Sequence, residues 1–243
     1  MLEELKKQVC EANLRLAASG LVIETWGNVS GVDRPGDAMV IKPSGVPYEG
    51  MTPEHMVAVS LATGAVLDGG LKPSSDMPTH LELYRAFGGV GGVVHTHSIF
   101  ATAWAQARKA IPPLGTTHAD YFCGPVPCTR PMTAEEILDH YEANTGKVIV
   151  ERFSGGLQAA AYRGLEATLD PLVTPAVLVA GHGPFAWGRS PQQAVENAIV
   201  LEHLAHLAIL TLGIEPYSRP ISQELLQKHF FRKHGPGRYY GQD

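Results

Sequence analysis

Residues 176–188, AVLVAGHGPFAWG, decide how the chain is read. Ala176–Ala180 is a short apolar run that empties into a glycine turn, the pattern of a buried strand. Phe185–Gly188, beyond the turn, reads as its antiparallel partner. A further strand, VVHTH at 93–97, follows the glycine-rich turn Gly88–Gly92. Upstream, Asn28–Val32, Met39–Ile41 and Met56–Leu61 are β-prone pieces separated by Gly and Pro, as in a meander.

Helical spacing of Leu2, Leu5, Val9, Leu14 and Leu16 predicts a helix over 3–18. SSDMPTHLELYRAF opens with cap-type residues and predicts another from about Asp76 to Phe87. Further helices are expected at Phe100–Ala107, from Thr133 past Asp139, at Pro191–Leu212 and at Ser222–Lys233. Residues 111–132 read as loop and 154–175 as turn-rich. Strands and helices mix without a regular βαβ rhythm. The expected fold is therefore α/β: one domain over 1–243, three layers (α/β/α), with a central, mostly antiparallel sheet.

The 243 residues are 44% hydrophobic and 18% charged, enough apolar content for one core. A net charge of −5 and a pI near 6.1 argue against a nucleic-acid partner. No apolar run approaches the ~18 residues of a membrane span, and the charged N-terminus lacks the apolar centre of a signal peptide. Cys10, Cys123 and Cys128 cannot all pair and form no CxxC spacing, which fits reduced thiols in a cytoplasmic protein.

The histidines carry the first chemical signal. His95 and His97 flank Thr96, and on a strand residues i and i+2 share a face. His182 follows another strand between Gly181 and Gly183, where the backbone can turn tightly. Asp76, at a helix start, adds a carboxylate. Three imidazoles and a carboxylate suit Zn²⁺, and also Mn²⁺ or Co²⁺. His55, His80, His118, His140, His203 and His206 lack such a setting and read as surface or core residues.

Small donors carry the second signal. Gly27-Asn28, Ser44-Gly45 in IKPSGV and Ser74-Ser75 in KPSSD are turn-like, and Lys42 and Lys72 precede the last two pairs. Such groups recognise a phosphate dianion. Ser74-Ser75 also stands at a helix N-terminus, which favours an anion.

The series ETWGNVSGVD, VIKPSGV, KPSSDMPTHLELY, VVHTHS, GTTHADYF and GHGPFAWG resembles the class II aldolase and ribulose-phosphate epimerase family, over nearly the whole chain to KHFFRKHGPGRYYGQD. The resemblance implies a class II aldolase-like fold and a divalent metal, usually zinc, on Asp76, His95, His97 and His182. It implies phosphate contacts at Gly27, Asn28, Ser44, Gly45, Ser74 and Ser75, and an acid/base pair, Asp120 and Tyr240. It implies a C4 homotetramer with active sites between subunits, lined from the neighbour by Thr116, Glu142 and His229. Asp76, where the family's aldolases carry a glutamate base, and the THADYF stretch point to an epimerase of a small phosphorylated sugar. An aldolase, or an epimerase of another phosphorylated ketose, is the alternative. The chain departs from the pattern in a longer 154–175 segment and in Ala180, where a histidine is common.

Overall fold

β5 (Gly92–His95) is an interior strand of the sheet in the computed structural model, which describes residues 2–155, 169–234 and 238–239. It pairs with β1 (Asn28–Asp33) on one side and β7 (Pro184–Gly188) on the other. Outward from β1 come β2 (Ala38–Ile41), β3 (Val57–Ser60) and β4 (Val66–Asp68); β6 (Ala176–Leu178) flanks β7. The sheet order is β4-β3-β2-β1-β5-β7-β6, and every pair is antiparallel. The meander and the 176–188 hairpin are both present.

The two-residue period of a strand sorts the core into two layers. On β5 and β7, Val94 and Ala186 join one cluster with Leu16, Trp104 and Leu201. Those residues come from α1 (Leu2–Ala18), α3 (Ile99–Gln106) and α7 (Pro191–Ile214). Val93, Phe185 and Trp187 alternate to the other face and meet Leu83, Tyr84, Ile149 and Phe153. These belong to α2 (Met77–Ala86) and α6 (Tyr141–Ser154). Helices therefore cover both faces, the three-layer arrangement expected. Short helices α4 (Thr116–Ala119) and α5 (Ala134–Leu138) punctuate the loops, and α8 (Gln223–His234) packs on α4.

Two local expectations need correction. The helix from Thr133 is two helices. Thr133 and Glu136 form a capping box for α5, but His140 takes a left-handed conformation (φ 53, ψ 47) and restarts the chain as α6. The strand expected through His97 ends at His95, because Ser98 is already the N-cap of α3. At 24 residues, α7 is long and apolar enough to meet the length and composition test for a membrane span. Its Ala194, Val195, Leu201 and Leu204 are instead buried in the core beside the sheet. The three cysteines are free. Of the 154–175 segment, residues 156–168 lie outside the described residues.

Candidate metal and phosphate site

Register brings the site together. His95, the last residue of β5, lies opposite Asn28 on β1 and Phe185 on β7. Its ring stacks on Phe185 with centroids 4.2 Å apart, and its Nδ1 lies 2.9 Å from the Pro184 carbonyl oxygen. A carbonyl only accepts, so Nδ1 donates to it, and Nε2 is the nitrogen turned toward the other histidines. That Nε2 is 3.1 Å from Nε2 of His97. His182 enters from the β6–β7 turn. Gly181 there has φ +76, and a Cβ on Gly183 would stand 3.0 Å from the Thr96 carbonyl oxygen, so both glycines are needed for the approach. The ligating nitrogens of His95, His97 and His182 all lie within 4.8 Å of one another. A tetrahedral ion with bonds of ~2.05 Å needs nitrogens about 3.3 Å apart, close to the His95–His97 spacing.

Electrostatics favour the same use. Burial, then the neighbouring His95 and His97, lowers the His182 pKa to about 4. Burial and His95 lower that of His97 as well. Neutral imidazoles offer lone pairs, the form a metal takes. Burial works to raise the Asp76 pKa, but His95, His80 and a hydrogen bond from Asn28 Nδ2 (2.7 Å) outweigh it and leave it low. Asp76 lines the same cleft, although its carboxylate stands outside the trio of clustered nitrogens.

The cleft has a volume of about 400 Å³ and is also lined by Gly27, Asn28, Lys42, Ser44, Gly45, Ser74 and Ser75. The two Lys-Pro-Ser stretches run side by side: Ser44 N–H donates to the Lys72 carbonyl (2.9 Å) and Ser74 N–H to that of Lys42 (3.0 Å). Lys72 is exposed, whereas Lys42 is buried. Its ammonium donates to the carbonyls of Thr25 (3.4 Å) and Pro43 (3.3 Å) and lies 4.8 Å from the Tyr48 ring centre. Burial lowers its pKa to about 8, so it stays mostly cationic at neutral pH. Among the described residues no carboxylate pairs with it, so an incoming anion would complete its charge.

Thr116, Asp120 and His229 do not line this cleft; they sit on α4, at its C-cap and on α8. The Asp120 carboxylate accepts from His229 Nδ1 (3.0 Å), Arg232 (3.0 Å) and Lys233 (3.3 Å). Burial alone would raise its pKa; these donors overrule it and hold it below the usual carboxylate range. Glu142 was expected from a neighbouring subunit, yet it lines the chain's own cleft. Tyr240 lies outside the described residues.

Four cleft residues escaped the sequence reading: Thr25, Trp26, Pro43 and Tyr141. Trp26 is 59% exposed, its ring edge-on to His97. It sits within the TWGN stretch, next to glycine, which was the available signal. The remaining histidines are surface or core residues as expected, except that buried His80 has no hydrogen-bond partner at Nε2 among the described residues. His80 is buried with Nδ1 on Ser30 Oγ, His118 donates to the Gly124 carbonyl, His206 stacks on Phe100, and His203 is exposed.

Comparison with known proteins agrees with this architecture. A protein of Salmonella paratyphi C named L-ribulose-5-phosphate 4-epimerase UlaF is 52% identical over 99% of this chain and 100% of its own length. Its counterpart in Salmonella choleraesuis gives the same figures. Among solved structures, an L-fuculose 1-phosphate aldolase superposes with a TM-score of 0.73 at 22% identity, covering 93% of this chain and 94% of that one. The aldolase of the same name from Thermus thermophilus gives 0.65 at 23% identity, over 89% and 99%. At those identities the likeness is one of fold. The model of the class II aldolase and adducin N-terminal domain matches residues 7–209. The chain belongs to the class II aldolase and adducin N-terminal domain family.

Proposed function

We propose that the chain interconverts L-ribulose 5-phosphate and D-xylulose 5-phosphate, as an L-ribulose-5-phosphate 4-epimerase. One observation carries this reading. A single cleft combines three convergent imidazoles with a buried lysine between serine loops, in a chain 52% identical to named epimerases.

His95, His97 and His182, with Asp76, would hold a divalent ion, zinc first and manganese or cobalt as alternatives. Such an ion supplies Lewis-acid polarisation of a carbonyl oxygen. C4 of a 2-ketopentose phosphate is not adjacent to its carbonyl, so enolisation cannot invert it. Cleavage of C3–C4, rotation of the aldehyde fragment and re-addition to its other face can. Lys42, Asn28 and the loops at Gly27, Ser44-Gly45 and Ser74-Ser75 grip the phosphate and keep the fragment from leaving. Loss of that grip would turn the epimerase into an aldolase.

Inversion needs proton handling on both faces, hence two groups, Asp120 and Tyr240. Asp120 is held as the carboxylate and can accept a proton at neutral pH. Thr116, Asp120 and His229 gather away from the cleft of their own chain, which supports a site completed by a neighbouring copy. Exposed Leu210 and Ile214 on α7 and nearby Tyr217 offer apolar surface for that contact, in a C4 homotetramer. Nothing in the site calls for nucleic acid or membrane, and the reduced cysteines suit the cytoplasm.

A coupled assay with zinc- or manganese-loaded protein tests the reading. Xylulose 5-phosphate should form from L-ribulose 5-phosphate and stop on chelation. No product with metal bound would refute this substrate.

A further inference from the structure

The three clustered imidazoles are not equally fixed. The ring of His95 is clamped by a carbonyl and by Phe185. His182 rides on a glycine-flanked turn, and no strand holds its side chain. Its Nδ1 has one hydrogen-bond partner among the described residues, the phenol oxygen of Tyr141 at 3.4 Å. The two rings lie 6.1 Å apart, tilted by 34°.

The chain places Tyr141 there by construction. Left-handed His140 redirects the backbone so that α6 begins at Tyr141, at the cleft. Thr145 Oγ1 donates to the Tyr141 carbonyl (2.9 Å), and Thr79 Oγ1 on α2 donates to the Glu142 carbonyl (2.6 Å). The first turn of α6 is thus tied both to itself and to the helix that follows Asp76.

An imidazole binds a metal only through the nitrogen that lacks a proton. We propose that Tyr141 is a positioning residue, whose phenol oxygen accepts Nδ1–H of His182 and so presents Nε2 to His95 and His97. This rests on the metal-dependent reading above and names a residue on which that site depends. A ligand histidine deprived of such a partner typically loses 10–100-fold in metal affinity.

Tyr141→Phe keeps the ring and removes the acceptor, so the fold is retained. Two measurements bear on it. Zinc affinity, by competition with a chromophoric chelator, should fall about 10–100-fold. In the metal-free protein, ¹⁵N–¹H correlation spectra should show His182 protonated at Nδ1 in the parent chain and redistributed toward Nε2–H in the variant. Equal zinc affinity and an unchanged tautomer would overturn the assignment while leaving the metal site standing. A parent chain that binds no zinc would overturn both, and the tautomer spectra would then show whether the Tyr141–His182 bond exists at all.

Discussion

Replacing Gly146 by alanine sets two effects of opposite sign against each other. Gly146 is a buried position within α6. Helix propensity alone predicts that alanine would stabilise the chain by about 1 kcal/mol. The structure predicts otherwise. A Cβ at this position would lie 2.6 Å from Glu82 Cβ, 3.0 Å from the Thr79 carbonyl oxygen and 3.1 Å from Glu82 Cγ. Ordinary carbon contacts are ~3.5–4.0 Å, so the nearest falls short by about 1 Å. Glu82 Cβ is fixed to the backbone of α2 and cannot rotate away. Relief must come from separating α2 and α6, and overpacking of this kind costs about 1–3 kcal/mol. The net expectation is a loss of about 1 kcal/mol, or ~2–4 °C in Tm for a chain of this size. The same separation stretches the Thr79–Glu142 hydrogen bond and moves Asp76 relative to Tyr141, so phosphosugar affinity should also fall. Urea titration at fixed protein concentration, reading the midpoint at constant slope, measures the first effect. Adding Glu82→Ala should not rescue it, because the clashing Cβ remains. A Gly146→Ala chain that is more stable than the parent would refute the close α2–α6 contact.

Further expectations follow from single residues. Asp120→Asn should leave metal content intact and reduce turnover at least ~100-fold, the lower end for general acid/base groups; near-normal turnover would remove Asp120 from the mechanism. Mixing inactive Asp120→Asn with inactive His97→Asn chains after subunit exchange should restore measurable activity if the site is shared between copies, and none if each chain works alone. Burial lowers the His118 pKa from 6.5 to about 4, against the opposing hydrogen bond to Gly124. The unfolded chain therefore takes up that proton first. The stability contribution is complete above pH 6.5 and is lost as pH falls toward 4, by about 3 kcal/mol. His118→Gln should make the fall in urea midpoint over this window shallower, with His97 and His182 among the contributors to the remainder, and an unchanged slope would contradict it. Arg130, 5% exposed at its side chain, bridges Glu136 and Glu151 at 2.7 Å each. Arg130→Met leaves Glu151 without its cation and Glu136 with only the Thr133 N–H, and should cost about 3 kcal/mol in the same titration.

Much of this architecture was legible in the chain itself. Alternating or continuous apolar runs bounded by glycine and proline gave six of the seven strands, since the centre of a sheet between two helical layers must be apolar on both faces, whereas the exposed edge strand β4 carries no such run and was missed. The 181–183 turn was readable because glycine flanks have few other uses beside a histidine. His97 does lie beside His95, but it reaches it from a loop, not by the period of a strand. The break at His140 was hidden, because a left-handed histidine carries no glycine to announce it. Tyr141 was hidden with it, as its role depends on where α6 starts. Asp120 could be named from the family resemblance, but the grip of His229, Arg232 and Lys233 on it is a long-range contact that no local pattern encodes.

The most direct test is an initial-rate experiment with metal-loaded protein and L-ribulose 5-phosphate, following D-xylulose 5-phosphate and free glycolaldehyde phosphate together. Xylulose phosphate should form from the first turnovers with no accumulation of free aldehyde, because the phosphate stays held by Lys42 and the serine loops. Aldehyde released at the rate of ribulose phosphate consumption would contradict it and mark the chain as an aldolase.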